Sequence, residues 1–298
     1  MNVLILTCNT GGGHNATARA IAEELERRGI PSTTENALSF APPMEESIIV
    51  GGHTFAYKHA PKVYAEGYRY AEEHSTYSLY LNSAKYAPAL RRYLEQGGFD
   101  TVISVHVSPG HTMTAIRRRY NPPIKQYFVA TDYTCSPGYE RVEADRVFIP
   151  RELTREFVLQ GMDSAMLLET GIPVRVECYE PATSAFARDE LYGVLPLAPE
   201  DKVVLVGPGC LDPDEIGQLA RAVGIDVPNV KFVVLCGKGN SMMKRQIGHL
   251  DDPRVLSLGY TTCMDRWMKA ADVLITKPGG LTSTEAVSCG VPLILLDV

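Results

Sequence analysis

No CxxC pair occurs anywhere in the 298 residues, which sets aside paired-thiol zinc sites and thioredoxin-type motifs. The seven cysteines are an odd set, Cys8, Cys135, Cys178, Cys210, Cys236, Cys263 and Cys289, as expected of a chain kept in a reducing compartment and not stapled by disulfides. Cys8, Cys236 and Cys289 sit in or beside apolar runs, where a thiol serves as a small hydrophobe. A basic excess is missing too: 29 Lys and Arg face 35 Asp and Glu, a formal net charge of -6, so nucleic acid is not an expected partner. No apolar run approaches the roughly 18 residues of a membrane span. The apolar start, Val3 to Leu6, is far shorter than the core of a signal peptide. The expected location is cytoplasmic, with peripheral attachment to the inner face of the cell membrane left open.

What is present is an ordinary globular composition, 45% hydrophobic and 21% charged, in a chain longer than one core usually holds. Two domains of about 150 residues are the default. Strand signals at 2–7, 32–36, 101–106, 124–130, 146–149 and 165–169 alternate with helical stretches that include 91–96, 110–120 and 151–160. A proline-rich segment, 172–199, breaks the rhythm and reads as a linker with one short helix at 184–191. Strand signals resume at 202–206, 231–236, 255–257, 273–276 and 292–296. Such alternation implies parallel sheets with helices on both faces. The expected fold class is therefore α/β, with two Rossmann-like, doubly wound halves at 1–178 and 179–298. Ligands in such folds sit beyond the carboxyl ends of the strands. The chain stops at Leu295-Leu296-Asp297-Val298, directly after an apolar strand with no helix to cover it. This leads to the expectation of a truncated second domain, short by about 50 residues or one or two βα units.

The stretch LTCNTGGGHNATARAIAEEL, 6–25, runs a strand into three glycines, a histidine and a helix whose Ala18, Ile21, Ala22 and Leu25 share one face. Gly12 and Gly13 let the backbone approach a ligand, and the helix start aims N–H groups at it. The spacing is neither GxGxxG nor GxxxxGK[ST]. A neutral imidazole held at that helix start, His14, can take a proton from a hydroxyl. The competing reading is a packed or capping histidine.

A second constellation, ITKPGGLTSTEAVSCGVPLILL, ends a strand at Thr276, turns through Lys277-Pro278-Gly279-Gly280 and opens a hydroxyl-rich helix. Backbone amides and hydroxyls there suit a diphosphate, and Glu285 one turn in can accept from both hydroxyls of a ribose. A capping box of Thr282 and Glu285 would explain TxxE, though not the paired glycines. Asp212-Pro213-Asp214 matches a DxD metal signature, but acids around a proline are also what a helix start favours. No metal or cofactor is expected.

The pairing of GGGHNATARAIAEEL with TKPGGLTSTEA, together with YFVATDYTCSP, VISVHV and TGIPVR, resembles the processive diacylglycerol glycosyltransferase and monogalactosyldiacylglycerol synthase family. The resemblance covers nearly the whole chain. It implies the GT-B fold, two domains facing a cleft, and transfer of a hexose from a UDP-sugar to diacylglycerol with inversion at the anomeric carbon. It also implies His14 as general base and Asp132, in TDY, as an acceptor-orienting or base-assisting carboxylate, where an Asx-turn is the plainer alternative. His106 ends a neighbouring strand in the same region, or is a satisfied core histidine. Glu285 would hold the uridine ribose, Gly279, Gly280, Thr282 and Ser283 the diphosphate with Lys277 beside them, and the backbone near Tyr260 the uracil. The loop GPGCLDPDE, with Gly209, is shorter than the family's phosphate loop, and the segment that would identify the sugar is absent.

Eight of the fifteen tyrosines fall between 53 and 93, interleaved with Lys and Arg, a composition suited to an anionic lipid surface and also to packing on the first sheet. A UDP-sugar 2-epimerase on the same fold, or a silent nucleotide- or membrane-binding fragment, are the rival expectations.

Overall fold

The computed structural model describes residues 1–9, 12–42, 44–45, 66, 69, 75–180, 194–237, 239 and 241–296. Gly11, the tyrosines Tyr57, Tyr64, Tyr68 and Tyr70, and the expected helix at 184–191 lie outside them. The chain divides into two compact units, Met1–Arg175 and Val176–Val298.

The first unit is built on six strands, β1 (Val3–Thr7), β2 (Ser32–Asn36), β3 (Thr101–Ser104), β4 (Lys125–Val129), β5 (Arg146–Ile149) and β6 (Leu167–Glu169), in the order β2-β1-β3-β4-β5-β6. Every pairing in it is parallel, with Val3 opposite Ser32 on one side and Thr101 on the other. All five residues of β1 are buried. A strand with neighbours on both edges and helices on both faces has no side left for water, which is why Val3 to Leu6 are apolar and the hydroxyl of Thr7 is spent on Asn15. Alternate residues serve opposite faces. Val3 and Ile5 join Ala18, Ile21 and Leu25 of helix α1 (Gly12–Arg27). Leu4 and Leu6 join Tyr80 and Ala84 of α2 (Tyr77–Ala84), Leu90 and Leu94 of α3 (Ala87–Gly97), and Met113 and Ile116 of α4 (Val107–Tyr120). Full burial of each Leu or Ile is worth about 1.5–3 kcal/mol.

Several helix starts differ from the sequence expectation. Helix α4 begins at Val107 and not at 110, because His106 acts as its N-cap through Nδ1, which accepts from the Ser108 N–H at 3.1 Å. Helix α3 begins four residues early, with Pro88 in its first turn, where the missing N–H costs nothing. In the short α5 (Thr154–Leu159) and before β6, where Asp163 caps a 3-10 turn, the elements are shorter than expected.

The second unit holds β7 (Lys202–Val206), β8 (Val230–Leu235), β9 (Val255–Leu258), β10 (Val273–Thr276) and β11 (Leu293–Leu295) in the order β11-β10-β7-β8-β9, again all parallel. Helices α6 (Pro213–Asp226) and α7 (Ser241–Gly248) pack on one face through Ile216, Ala220 and Ile247. Helices α8 (Met264–Ala270) and α9 (Gly280–Cys289) cover the other through Trp267, Met268 and Ala286. Cys8 and Cys236 are buried as expected. Cys289 is half-buried and packs against the core of the second unit, and a hydrogen bond with Cys178 holds its thiol below the usual range although burial pushes it up.

Candidate functional site

The strand order brings the carboxyl ends of β1, β3 and β4 side by side, and the segments that follow them converge on His14. Asn15 pins the first turn of α1: it accepts from the Thr7 hydroxyl at 2.8 Å and donates to Asn9 Oδ1 at 3.0 Å. His14, third residue of that helix, places Nδ1 3.0 Å from the Val105 carbonyl and 3.0 Å from Thr131 Oγ1. A carbonyl can only accept, so Nδ1 carries the proton and the ring's lone pair is on Nε2. The His106 ring meets the His14 ring edge-on, centroids 4.6 Å apart. Its Nδ1 accepts from Ser108, so in the neutral ring its proton is on Nε2, the opposite tautomer.

Gly12 is exposed, and a Cβ built on it would meet nothing within 4 Å. Packing within the chain therefore does not demand a glycine there, whereas a ligand approaching the backbone would. Gly13 is half-buried in the same turn. Asp132 is half-buried and does not form the alternative Asx-turn with its own backbone; its Oδ2 accepts from Ser136 Oγ at 3.3 Å and Tyr139 Oη at 3.4 Å. Beyond His106 lies a cavity of about 510 Å³, lined among others by Cys8, Leu38, Leu79, Tyr86, His106 and Val107. At its rim Glu45 binds Lys85 at 2.9 Å and Tyr86 Oη at 2.7 Å, contacts that hold the carboxyl below its usual range.

In the second unit, β7 pairs with β10, so the loops after them are neighbours: the Gly207 N–H donates to the Ile275 carbonyl at 2.8 Å. Gly209 has φ +67, a left-handed conformation that favours glycine. Helix α9 starts earlier than a Thr282 cap allows. Gly279 is its N-cap, with no side chain closing it, and the first helical bond runs from Ser283 N–H to the Gly279 carbonyl at 3.0 Å. The N–H groups of Gly280, Leu281 and Thr282 precede that bond, the arrangement that binds anions at helix starts. The capping-box account of TxxE is thereby overturned. Lys277, half-buried, accepts from the Gly279 N–H at 2.7 Å, and Glu285 lies half-buried farther along the helix. Tyr260 is 65% exposed and follows β9, three strands across from β10, about 14 Å at the usual strand spacing. Asp212 caps α6 in a capping box with Glu215, both bonds at 2.8 Å.

A family model described as monogalactosyldiacylglycerol (MGDG) synthase matches residues 14–174, more than half of the chain. The chain belongs to the MGDG synthase family. A glycosyltransferase family 28 C-terminal domain matches residues 213–296. The processive diacylglycerol beta-glucosyltransferase of Bacillus licheniformis is 26% identical over 99% of this chain and 76% of its own length. Two solved structures share the fold. The UDP-GlcNAc 2-epimerase of Neisseria meningitidis, bound to UDP-GlcNAc, is 14% identical with TM-score 0.62, over 99% of this chain and 82% of that one. Anabaena HepE in complex with UDP and glucose is 16% identical with TM-score 0.53, over 99% and 80%. This MGDG synthase family member thus has the GT-B fold, with two Rossmann-like domains. Within the MGDG synthase unit, sequence reasoning missed Val105, Thr131 and Tyr139. Thr131 was within reach, since TDY directly follows a parallel strand whose carboxyl end adjoins that of β3.

Proposed function

We propose that this protein is an inverting glycosyltransferase that moves a hexose from a UDP-sugar to diacylglycerol. The observation that carries the chemistry is the tautomer of His14: with Nδ1–H committed to the Val105 carbonyl, Nε2 is the basic nitrogen. The acceptor hydroxyl gives its proton to Nε2 as its oxygen attacks the anomeric carbon, and the bond to the diphosphate breaks with UDP leaving. Support for a lipid acceptor comes from the mostly apolar cavity beside His106, which suits acyl or glycerol atoms. Support for UDP in the second unit comes from the uncapped start of α9. There the Gly279 to Ser283 turn, with Gly209 and Lys277, takes the diphosphate, while Glu285 takes the ribose and the backbone near Tyr260 the uracil. Helix amides then balance the charge on the leaving group, so a metal is not required, and turnover is expected to survive a chelator. Glucose and galactose are both compatible donors.

We further infer a peripheral association with an anionic membrane surface, on the cytoplasmic side. Tyr77 and Leu81 of α2 are 51% and 47% exposed, with Arg141 stacked over the Tyr77 ring. No helix among the described residues is long and apolar enough to cross a membrane.

The test is transfer from radiolabelled UDP-glucose and UDP-galactose to diacylglycerol in mixed micelles. A β-linked glycolipid is expected, and His14→Ala should lower kcat by at least about 10² with UDP affinity kept. An epimerised UDP-sugar, or UDP binding without lipid product, would refute the assignment. Wild-type turnover in His14→Ala would refute the base.

A further inference from the structure

Asp132, which the family resemblance puts next to the acceptor, has no direct bond to His14 in the geometry above. It faces instead the hydroxyl of Tyr139, a ring 2% exposed and packed against Phe128 with centroids 4.9 Å apart and against Phe157 at 6.2 Å. The Tyr139 hydroxyl donates to Asp132 Oδ2 at 3.4 Å, with Ser136 and Thr131 beside it. Thr131, 4% exposed, is the residue whose Oγ1 lies 3.0 Å from His14 Nδ1.

We infer that Thr131, Tyr139 and Asp132 form one chain of hydrogen bonds that orients His14 and raises its basicity. The inference rests on His14 being the base. The donors run in one direction. The His14 Nδ1–H is shared between the Val105 carbonyl and Thr131 Oγ1, the Thr131 O–H turns to Tyr139 Oη, and the Tyr139 O–H donates to Asp132 Oδ2. Burial, with the Asp132 carboxylate adding to it, pushes the Tyr139 phenol above its usual range, so it stays protonated and keeps donating. When Nε2 takes the acceptor's proton, the new positive charge is met by dipoles all turned toward a carboxylate. No proton needs to travel along the chain. Two neighbours act on the same ring: His106 stands edge-on to it, and the α1 N-terminus disfavours an imidazolium in the first turn. The carboxylate at the far end offsets that dipole. Thr131 and Tyr139 are thus positioning residues, acting on the acceptor only through His14.

The experiment uses the full chain with UDP-sugar and diacylglycerol. Thr131→Val and Tyr139→Phe should each lower kcat about tenfold to a hundredfold while KM for the UDP-sugar is unchanged, and Thr131→Ser should restore most of the loss. A base works when deprotonated, so losing the support lowers the His14 pKa. The acid limb of kcat/KM should then move to lower pH in Thr131→Val, Tyr139→Phe and Asp132→Asn alike. Wild-type kcat and an unmoved limb in both Thr131→Val and Tyr139→Phe, beside an inactive His14→Ala, would overturn the chain but leave the base. An active His14→Ala removes the base itself. Should Tyr139→Phe fail to fold, NMR titration of the His14 ring in Thr131→Val decides: a lowered midpoint supports the chain, and an unchanged one overturns it.

Discussion

At single residues, two side-chain changes separate what the fold requires from what a ligand requires. The space around Gly12 is open, so Gly12→Ala adds a methyl that meets no protein atom and removes backbone entropy from a helix. Thermal unfolding should show stability unchanged or higher by up to about 1 kcal/mol, while KM for the UDP-sugar rises. Equal KM in the two proteins would mean that nothing approaches this turn. His111 is a different case, a buried group tied into the fold. It is 1% exposed and its Nε2–H donates to the Gly138 carbonyl at 2.7 Å. Burial pushes its pKa below the ordinary 6.5, against the smaller upward pull of that carbonyl. The folded state therefore holds it neutral while the unfolded chain protonates near 6.5, so its contribution is complete above that pH and is lost as pH falls below it. Denaturant midpoints should be lower at pH 5.5 than at pH 7.5, and His111→Gln, which keeps a donor for Gly138, should flatten the difference.

Among the elements, α9 offers the clearest test, because its N-cap is a glycine in ordinary extended conformation, φ -87 and ψ 132, with open space where a Cβ would go. Gly279→Asp would fit without strain and would give the first turn the carboxylate acceptor it lacks. The helix should gain a few tenths of a kcal/mol, and UDP should bind about tenfold or more weakly, since the new anion occupies the donors a diphosphate needs. Calorimetric titration with UDP measures this, and unchanged affinity would place the diphosphate elsewhere. The same helix shows what the sequence made legible. Its existence after a strand end was readable from the turn glycines, whereas its cap was not, because TxxE also fits a capping box. Strands were the most readable elements: 32–36, 146–149, 202–206 and 273–276 match the observed β2, β5, β7 and β10. Helix starts were the least readable. At α4 the cap is a histidine followed by Pro109 and Gly110, which propensity alone reads as loop.

For the molecule as a whole, strand order was beyond local pattern, since it depends on which crossovers pass which faces. The convergence of Val105, Thr131 and His14 depends on that order, which is why His14 was found by motif and its partners only by geometry. The proposed membrane association belongs to this scale as well. Liposomes containing anionic lipid should sediment the protein at low ionic strength and release it as salt screens its Lys and Arg; failure to sediment at low salt would leave Tyr77 and Leu81 as ordinary surface residues. One contact also bears on how the chain can be cut. The ammonium of Lys269, on α8, donates to the carbonyls of Glu177 and Glu180, and Cys178 between them is 1% exposed. The stretch 176–180 thus belongs to the second unit although β7 starts only at Lys202. A fragment begun at Asp201, the intuitive choice for expressing the second unit alone, would strip Lys269 of both carbonyls and open the site that Cys178 fills. One begun ahead of Val176 keeps them and should be the soluble fragment of the two.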